Sequence, residues 1–170
     1  SRMATTSAPL GFFIAGTDTE VGKTFVGSRI ASALRGQGYR VGVYKPVASG
    51  CESRDGRLIS DDALALWHAA GCPRDLDAVC PQMFRAPLAP PAAARLEQRS
   101  VDPELLRSGL HSWLDCSDIL LVEGVGGLMS PISEDDYVAD LAFDFGFPLI
   151  VVAPDTLGVI NQTLQTLITA

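Results

Sequence analysis

Apolar runs alternate with segments of helical spacing along the whole chain. Gly11 to Ala15 (GFFIA) predicts a first strand, and 16–23 a turn. From Thr24 to Gln37, Val26, Ile30, Ala33 and Leu34 recur at helical intervals before Gly36 and Gly38. Val41 to Lys45 predicts a second strand, halted by Pro46, and Ala48 to Ile59 a polar loop. Ser60-Asp61-Asp62 opens a helix to about Ala70, with acids in the first turn where the helix dipole favours them. The Pro-rich stretch 72–91 predicts irregular chain with a short strand near Val79 to Phe84. Asp102-Pro103-Glu104 signals a helix start, continuing to Trp113. Ile119 to Val122 predicts a buried strand ending in Glu123 and a Gly-rich turn over 124–127. A helix over Tyr137 to Phe145, a strand over Leu149 to Ala153 and a helix from Asp155 complete the pattern. Strands alternating with helices predict a parallel sheet in an α/β domain. A single domain is expected over 11–170, with 1–10 a disordered tail and Ser1-Arg2 foreign to the natural start at Met3. The last helix carries no cap, so a C-terminal portion is expected to be missing.

Nearly half of the 170 residues are apolar, which excludes a disordered chain. A net charge of -7 makes nucleic acid a poor partner. No apolar run reaches the ~20 residues of a membrane helix. Cys51, Cys72, Cys80 and Cys116 form no C-x-x-C pair, so reduced thiols in a cytoplasmic protein are expected and a zinc site is not. Of thirteen basic residues only two are lysines, Lys23 and Lys45. Each lies in a motif-like segment, where a compact ammonium differs from a guanidinium.

The strongest signal is Gly16-Thr-Asp-Thr-Glu-Val-Gly22-Lys23-Thr24, between a predicted strand and a predicted helix. This is the context of a P-loop, whose backbone N–H groups cradle phosphates at a helix N-terminus. Lys23 would reach the terminal phosphates and Thr24 would ligate magnesium. The spacing departs from the usual pattern by one residue, and Thr17 stands at the usual first Gly. The fold class expected is therefore α/β, P-loop NTPase-like, a mostly parallel sheet with helices on both faces. Glu123, at the end of a buried strand beside Gly124, Val125 and Gly126, lies where open α/β sheets bind ligands. Such an acid either holds magnesium or is a solvated loop residue. Lys45, opening Lys45-Pro46-Val47-Ala48-Ser49-Gly50, either stabilises developing negative charge or reaches into solvent. Either Asp61 or Asp62 is a third magnesium ligand, or both merely cap their helix.

GTDTEVGKT from Gly16, YKPVASG from Tyr44, SDDALAL from Ser60, LLVEGVGG from Leu120 and LGVINQT from Leu157 together resemble the dethiobiotin synthetase family. The resemblance runs from about Phe12 to the last residue. It implies a homodimeric, cytoplasmic cyclo-ligase that uses ATP and Mg2+ to join CO2 to 7,8-diaminononanoate. The path runs through a carbamate and a carbamic-phosphoric anhydride. It further implies that Thr19, Glu20, Val21, Gly22, Lys23, Thr24 and Phe25 hold the nucleotide, together with Asp62, Glu123, Gly124, Val125 and Gly126. Thr24, Asp62 and Glu123 are the implied magnesium ligands, so the resemblance favours Asp62 over Asp61. Lys45 and Lys23 are the implied catalytic lysines. Ser49 is implied to contact the diamine, and Leu157, Gly158 and Asn161 its carboxylate across a dimer interface. Ala89-Pro90-Pro91 and Gln162 depart from the family pattern. The family's adenine-contacting segment falls beyond Ala170. Two other readings compete: an amide-forming ligase related to the cobyrinate amidating synthetases, and a partitioning-type ATPase. The first should carry a glutaminase domain. The second should carry an early lysine in the phosphate loop, where Thr17 to Glu20 stand here.

Overall fold

A computed structural model describes residues 9–170. Of the tail expected over 1–10, residues 1–8 lie outside the described residues, and Leu10 instead opens the first strand. In chain order the elements are β1 (Leu10–Gly16), α1 (Lys23–Gly36), β2 (Val41–Tyr44), β3 (Val47–Ala48), β4 (Glu52–Arg54) and β5 (Arg57–Ile59). Next come α2 (Asp61–Ala69), α3 (Leu76–Val79), β6 (Gln82–Met83), α4 (Pro90–Leu96), α5 (Pro103–Ser108) and α6 (His111–Leu114). Last are β7 (Ile119–Gly127), α7 (Val138–Phe145), β8 (Leu149–Val152) and α8 (Val159–Thr169).

Four strands form one wholly parallel sheet in the order β2-β7-β1-β8. β2, β7 and β1 are buried along most of their length, as strands covered on both faces are. Adjacent residues of β7 identify the two layers. The Glu123 carboxylate approaches Gly27 of α1, where Ile14 and Leu66 of α2 also pack. Gly124 lies against Val138 of α7 and the ring of Phe13. Successive side chains of a strand point to opposite faces. Helices α1 and α2 therefore cover one face and α7 the other, as the alternating sequence pattern predicts.

Three local expectations need correction. The polar loop expected over 48–59 begins at the end of β3, which pairs in parallel with β6, and contains the antiparallel hairpin β4–β5. The hairpin turn is Asp55-Gly56, both at positive φ (52° and 78°), the backbone that a two-residue hairpin turn demands. The single helix expected up to Trp113 is broken into α5 and α6 near Gly109. The Tyr44 hydroxyl, at the end of β2, donates to the carbonyls of Leu105 and Leu106, 3.0 and 2.9 Å away. It competes for the acceptors of the last turn of α5. The glycines over 124–127 do not form a turn after the strand, because β7 continues through Gly127. A register shift against β1 between Ile14 and Gly16 absorbs the extra residues.

Trp113 anchors this frame. It is fully buried, its ring faces Gly42 of β2, and its Nε1–H donates to the Ala78 carbonyl at 3.1 Å. Trp113→Ala is expected to cost about 3–5 kcal/mol in chemical denaturation. A loss below about 1 kcal/mol would mean the ring does not hold β2 against α3.

Candidate functional site

The loop over 17–22 joins β1 to α1 at the carboxyl edge of the sheet. Gly22 caps α1 at φ 97°, and Glu20 also has positive φ (54°). Such residues turn successive backbone N–H groups toward one side and form an anion-binding concavity. A non-glycine residue in this region is strained, which is typical of ligand-binding loops. Gly16 is required by crowding: a Cβ there would lie 2.7 Å from both the Asp18 carbonyl oxygen and a methyl of Val21. Lys23 is buried, and its ammonium donates to the Asp18 carbonyl at 3.2 Å, reaching back across the loop.

The register of the sheet brings the other charges to the same edge. Tyr44 pairs with Val122, so the next residues, Lys45 and Glu123, emerge side by side. Ile14 pairs with Glu123, three residues before the loop begins. Glu123 is 1% exposed. Its Oε1 accepts from the Lys45 ammonium at 2.9 Å and from the Thr24 hydroxyl at 2.7 Å. Its Oε2 is buried and has no hydrogen-bond partner among the described residues. The Lys45 ammonium also lies 3.5 Å from Asp62 Oδ2. Ser60 caps α2 by accepting from the Ala63 N–H, which sets the phase of the first turn. Asp62 then faces Lys45, while Asp61 pairs with Arg54 of the hairpin at 2.7 Å.

Electrostatics separate the two lysines. Burial, reinforced by the neighbouring Lys45 ammonium, lowers the pKa of Lys23 below the ordinary lysine value. Burial also pushes Lys45 down, but the carboxylates of Glu123 and then Asp62 outweigh it and hold Lys45 above that value. Thr24, Asp62 and Glu123 together present hydroxyl and carboxylate oxygens, the donors that suit Mg2+. The Glu123 carboxylate also has an unpartnered oxygen, Oε2, and so has acceptor capacity to spare, and the residues present fit such an ion.

Both lysines line a cavity of about 760 Å³. Thr19, Glu20, Ser49, Asp62 and the Gly124-Val125-Gly126 segment share its wall. Pro87, Leu88 and Pro131 add an apolar side. Not every residue expected at the site lines this cavity: Val21, Gly22, Thr24 and Glu123 do not, though Glu123 pairs with Lys45, which does. Phe25 is 67% exposed beneath the Arg29 guanidinium and does not line the cavity. Leu157, Gly158 and Asn161 are all exposed, and none lines the cavity. The helix expected from Asp155 starts only at Val159, capped by Gly158 at φ 94°. Ser130 was not legible as a site residue, yet it lines this cavity and a second one of about 320 Å³ bordered by α8. Its hydroxyl accepts from the Gly127 N–H at 3.0 Å and braces the end of β7. The only hint in the sequence was a serine three residues after a glycine. Among the described residues no helix is long and apolar enough to cross a membrane.

Residues 11–170 match the AAA domain family. An ATP-dependent dethiobiotin synthetase of Rhodopirellula baltica is 49% identical, the match covering 91% of this chain and 65% of that protein. Proteins of the same name from Thermodesulfovibrio yellowstonii and Aromatoleum aromaticum are 41% and 39% identical, covering 92% and 93% of this chain and 68% and 70% of theirs. The chain thus spans about two thirds of the length of the relatives it matches. Among solved structures, the signal recognition particle receptor FtsY of Elizabethkingia anophelis aligns with a TM-score of 0.48 at 15% identity, covering 95% of this chain and 47% of that one, a likeness too slight to inform the site. On the matches to its relatives over nearly its whole length, the chain belongs to the dethiobiotin synthetase family.

Proposed function

We propose that this chain carries the ATP-dependent closure of a cyclic urea, converting 7,8-diaminononanoate and CO2 to dethiobiotin with release of ADP and phosphate. One observation carries the reading: two buried lysines and the Asp62 carboxylate face one cavity beside a phosphate-binding loop, and the buried Glu123 carboxylate holds Lys45 there. The family name of the relatives supports it.

The chemistry needs anions to meet. One amine adds to CO2 and loses a proton, giving a carbamate. A carbamate oxygen then attacks the γ-phosphorus of ATP, the bond to the β-phosphate oxygen breaks, and ADP leaves. The second amine attacks the carbonyl carbon, the C–O bond to phosphate breaks, and the ring closes with loss of a proton. Carbamate and triphosphate repel each other, so their approach requires fixed positive charge. In this reading Lys23 and the backbone of the 17–22 loop hold the phosphates. Lys45 reaches the transferring phosphoryl group and the carbamate. Ser49 orients the diamine, and the apolar wall at Leu88 and Pro131 accommodates its methylene chain. Thr24, Asp62 and Glu123 would hold magnesium, which neutralises phosphate charge when bound. Ring closure is intramolecular, so the substrate itself supplies proximity. No side-chain nucleophile is required.

The exposed Leu157, Gly158 and Asn161 are assigned to a second protomer's cavity, at the positive end of a helix where a carboxylate is favoured. The apolar residues Ile160, Leu164, Leu167 and Ile168 of α8 are exposed and favour such a homodimer. The setting proposed is the cytoplasm, where the four free cysteines stay reduced.

The reading is tested by phosphate release from ATP with and without the diamine and bicarbonate. Release that requires both supports the ligase. Release independent of both and stimulated by a protein partner or DNA supports a nucleotide switch instead. Lys45→Ala is expected to bind nucleotide within about threefold of the parent and to lose at least about 10²-fold in dethiobiotin formation. Normal product formation by that variant would remove Lys45 from the mechanism. Gly16→Ala, whose Cβ meets the Asp18 carbonyl and Val21 and so displaces the loop, is expected to weaken ATP binding about tenfold or more in calorimetry while α1 remains folded. Unchanged affinity would place the phosphates elsewhere.

A further inference from the structure

We infer that the Lys45 ammonium is the resident cation of the site formed by Thr24, Asp62 and Glu123, and that an arriving divalent ion exchanges it out into the cavity. This rests on the proposed assignment of those three residues to magnesium, and adds a coupling that the assignment does not contain. The ammonium sits 2.9 Å from Glu123 Oε1 and 3.5 Å from Asp62 Oδ2. The Thr24 hydroxyl donates to the same Oε1 at 2.7 Å. One oxygen thus already serves both a neighbouring ligand and the lysine. Magnesium binds oxygen at about 2.0–2.1 Å and demands a near-octahedral shell. An ion held by both Glu123 and Asp62 takes the position that the ammonium now bridges, and their like charges repel strongly at this range.

Charge balance points the same way. Two carboxylates face one ammonium here, and Lys23 stands close enough that Lys45 disfavours its charge. A doubly charged ion neutralises both carboxylates, which leaves Lys45 with no partner among them. Its route outward is open, because Lys45 already lines the 760 Å³ cavity together with Ser49 and Gly50, a few residues on in the chain. Four methylenes allow the ammonium to swing without moving the strand. The ammonium already donates to the carbonyl of Gly124, at 3.5 Å, and Gly124 lines the same cavity. In this account the metal does more than screen phosphate charge: its arrival delivers the lysine to the substrate end of the cavity. Until then the lysine is held by Glu123.

The sequence holds only two lysines, so amine labelling is easy to read. The purified chain is titrated with Mn2+, its binding followed by electron paramagnetic resonance, and acylated with a small amine-reactive ester at each occupancy. Peptide mass spectrometry then reports Lys45 and Lys23 separately. Lys45 labelling is expected to rise about tenfold as Mn2+ fills the site, following its occupancy. In Lys45→Met, Mn2+ affinity is expected to increase about tenfold, because a competing charge is gone. Should that variant fold poorly, the labelling of the unaltered chain decides. Mn2+ bound with Lys45 labelling unchanged or slowed overturns the exchange and leaves the proposed activity standing. An absence of Mn2+ binding overturns the exchange together with the metal assignment.

Discussion

A carboxylate buried at the end of a central strand must find positive charge or distort its surroundings, and the architecture of the site follows from how Glu123 finds it. Removing one partner of a buried ion pair commonly costs 3–5 kcal/mol, because the survivor is left unpaired in a poor solvent. Glu123 escapes that cost through Lys45 and the Thr24 hydroxyl, which come from two other segments of the same sheet edge. The parallel register of β7 with β2 and with β1 brings both within reach. Fold and site are therefore specified together. Slipping β2 by one residue against β7 would send the Lys45 side chain to the opposite face and leave the carboxylate orphaned.

The division between the two basic residue types follows the same physics. Both lysines are buried at this edge, whereas Arg40, Arg57 and Arg95 pair with carboxylates on the surface. Exposed pairs of that kind contribute little to stability. Arginine forks suit such pairings, while a single flexible ammonium suits a site in which the cation must yield its place to other ligands. The strained backbone at Glu20 belongs to the same economy of the edge, since the loop is shaped for a ligand and not for its own stability.

Much of this was legible in the sequence. The apolar runs of β1 and β7 mark buried parallel strands, and residues that end such strands fall on a common edge, which placed Lys45 and Glu123 near the loop ending in Gly22-Lys23-Thr24. Local pattern alone left Asp61 and Asp62 equivalent. The phase set by the Ser60 cap and a surface pair with Arg54 separate them, and Arg54 lies in a hairpin whose strands are only three residues long. The Asp55-Gly56 turn was the available signal. The break between α5 and α6 was hidden for another reason, because its cause, the Tyr44 hydroxyl, belongs to a strand some sixty residues earlier. The positions of Leu157, Gly158 and Asn161 follow from family resemblance alone, and a single chain leaves them in solvent.

The central claim is that Glu123 and Lys45 hold each other in place across the sheet edge. A double-mutant cycle in chemical denaturation, using Glu123→Gln, Lys45→Met and the pair, measures it directly. The account predicts that each single change is costly and that the double variant is little worse than either, a coupling of about 2 kcal/mol or more. Additive costs, with a coupling near zero, would contradict it.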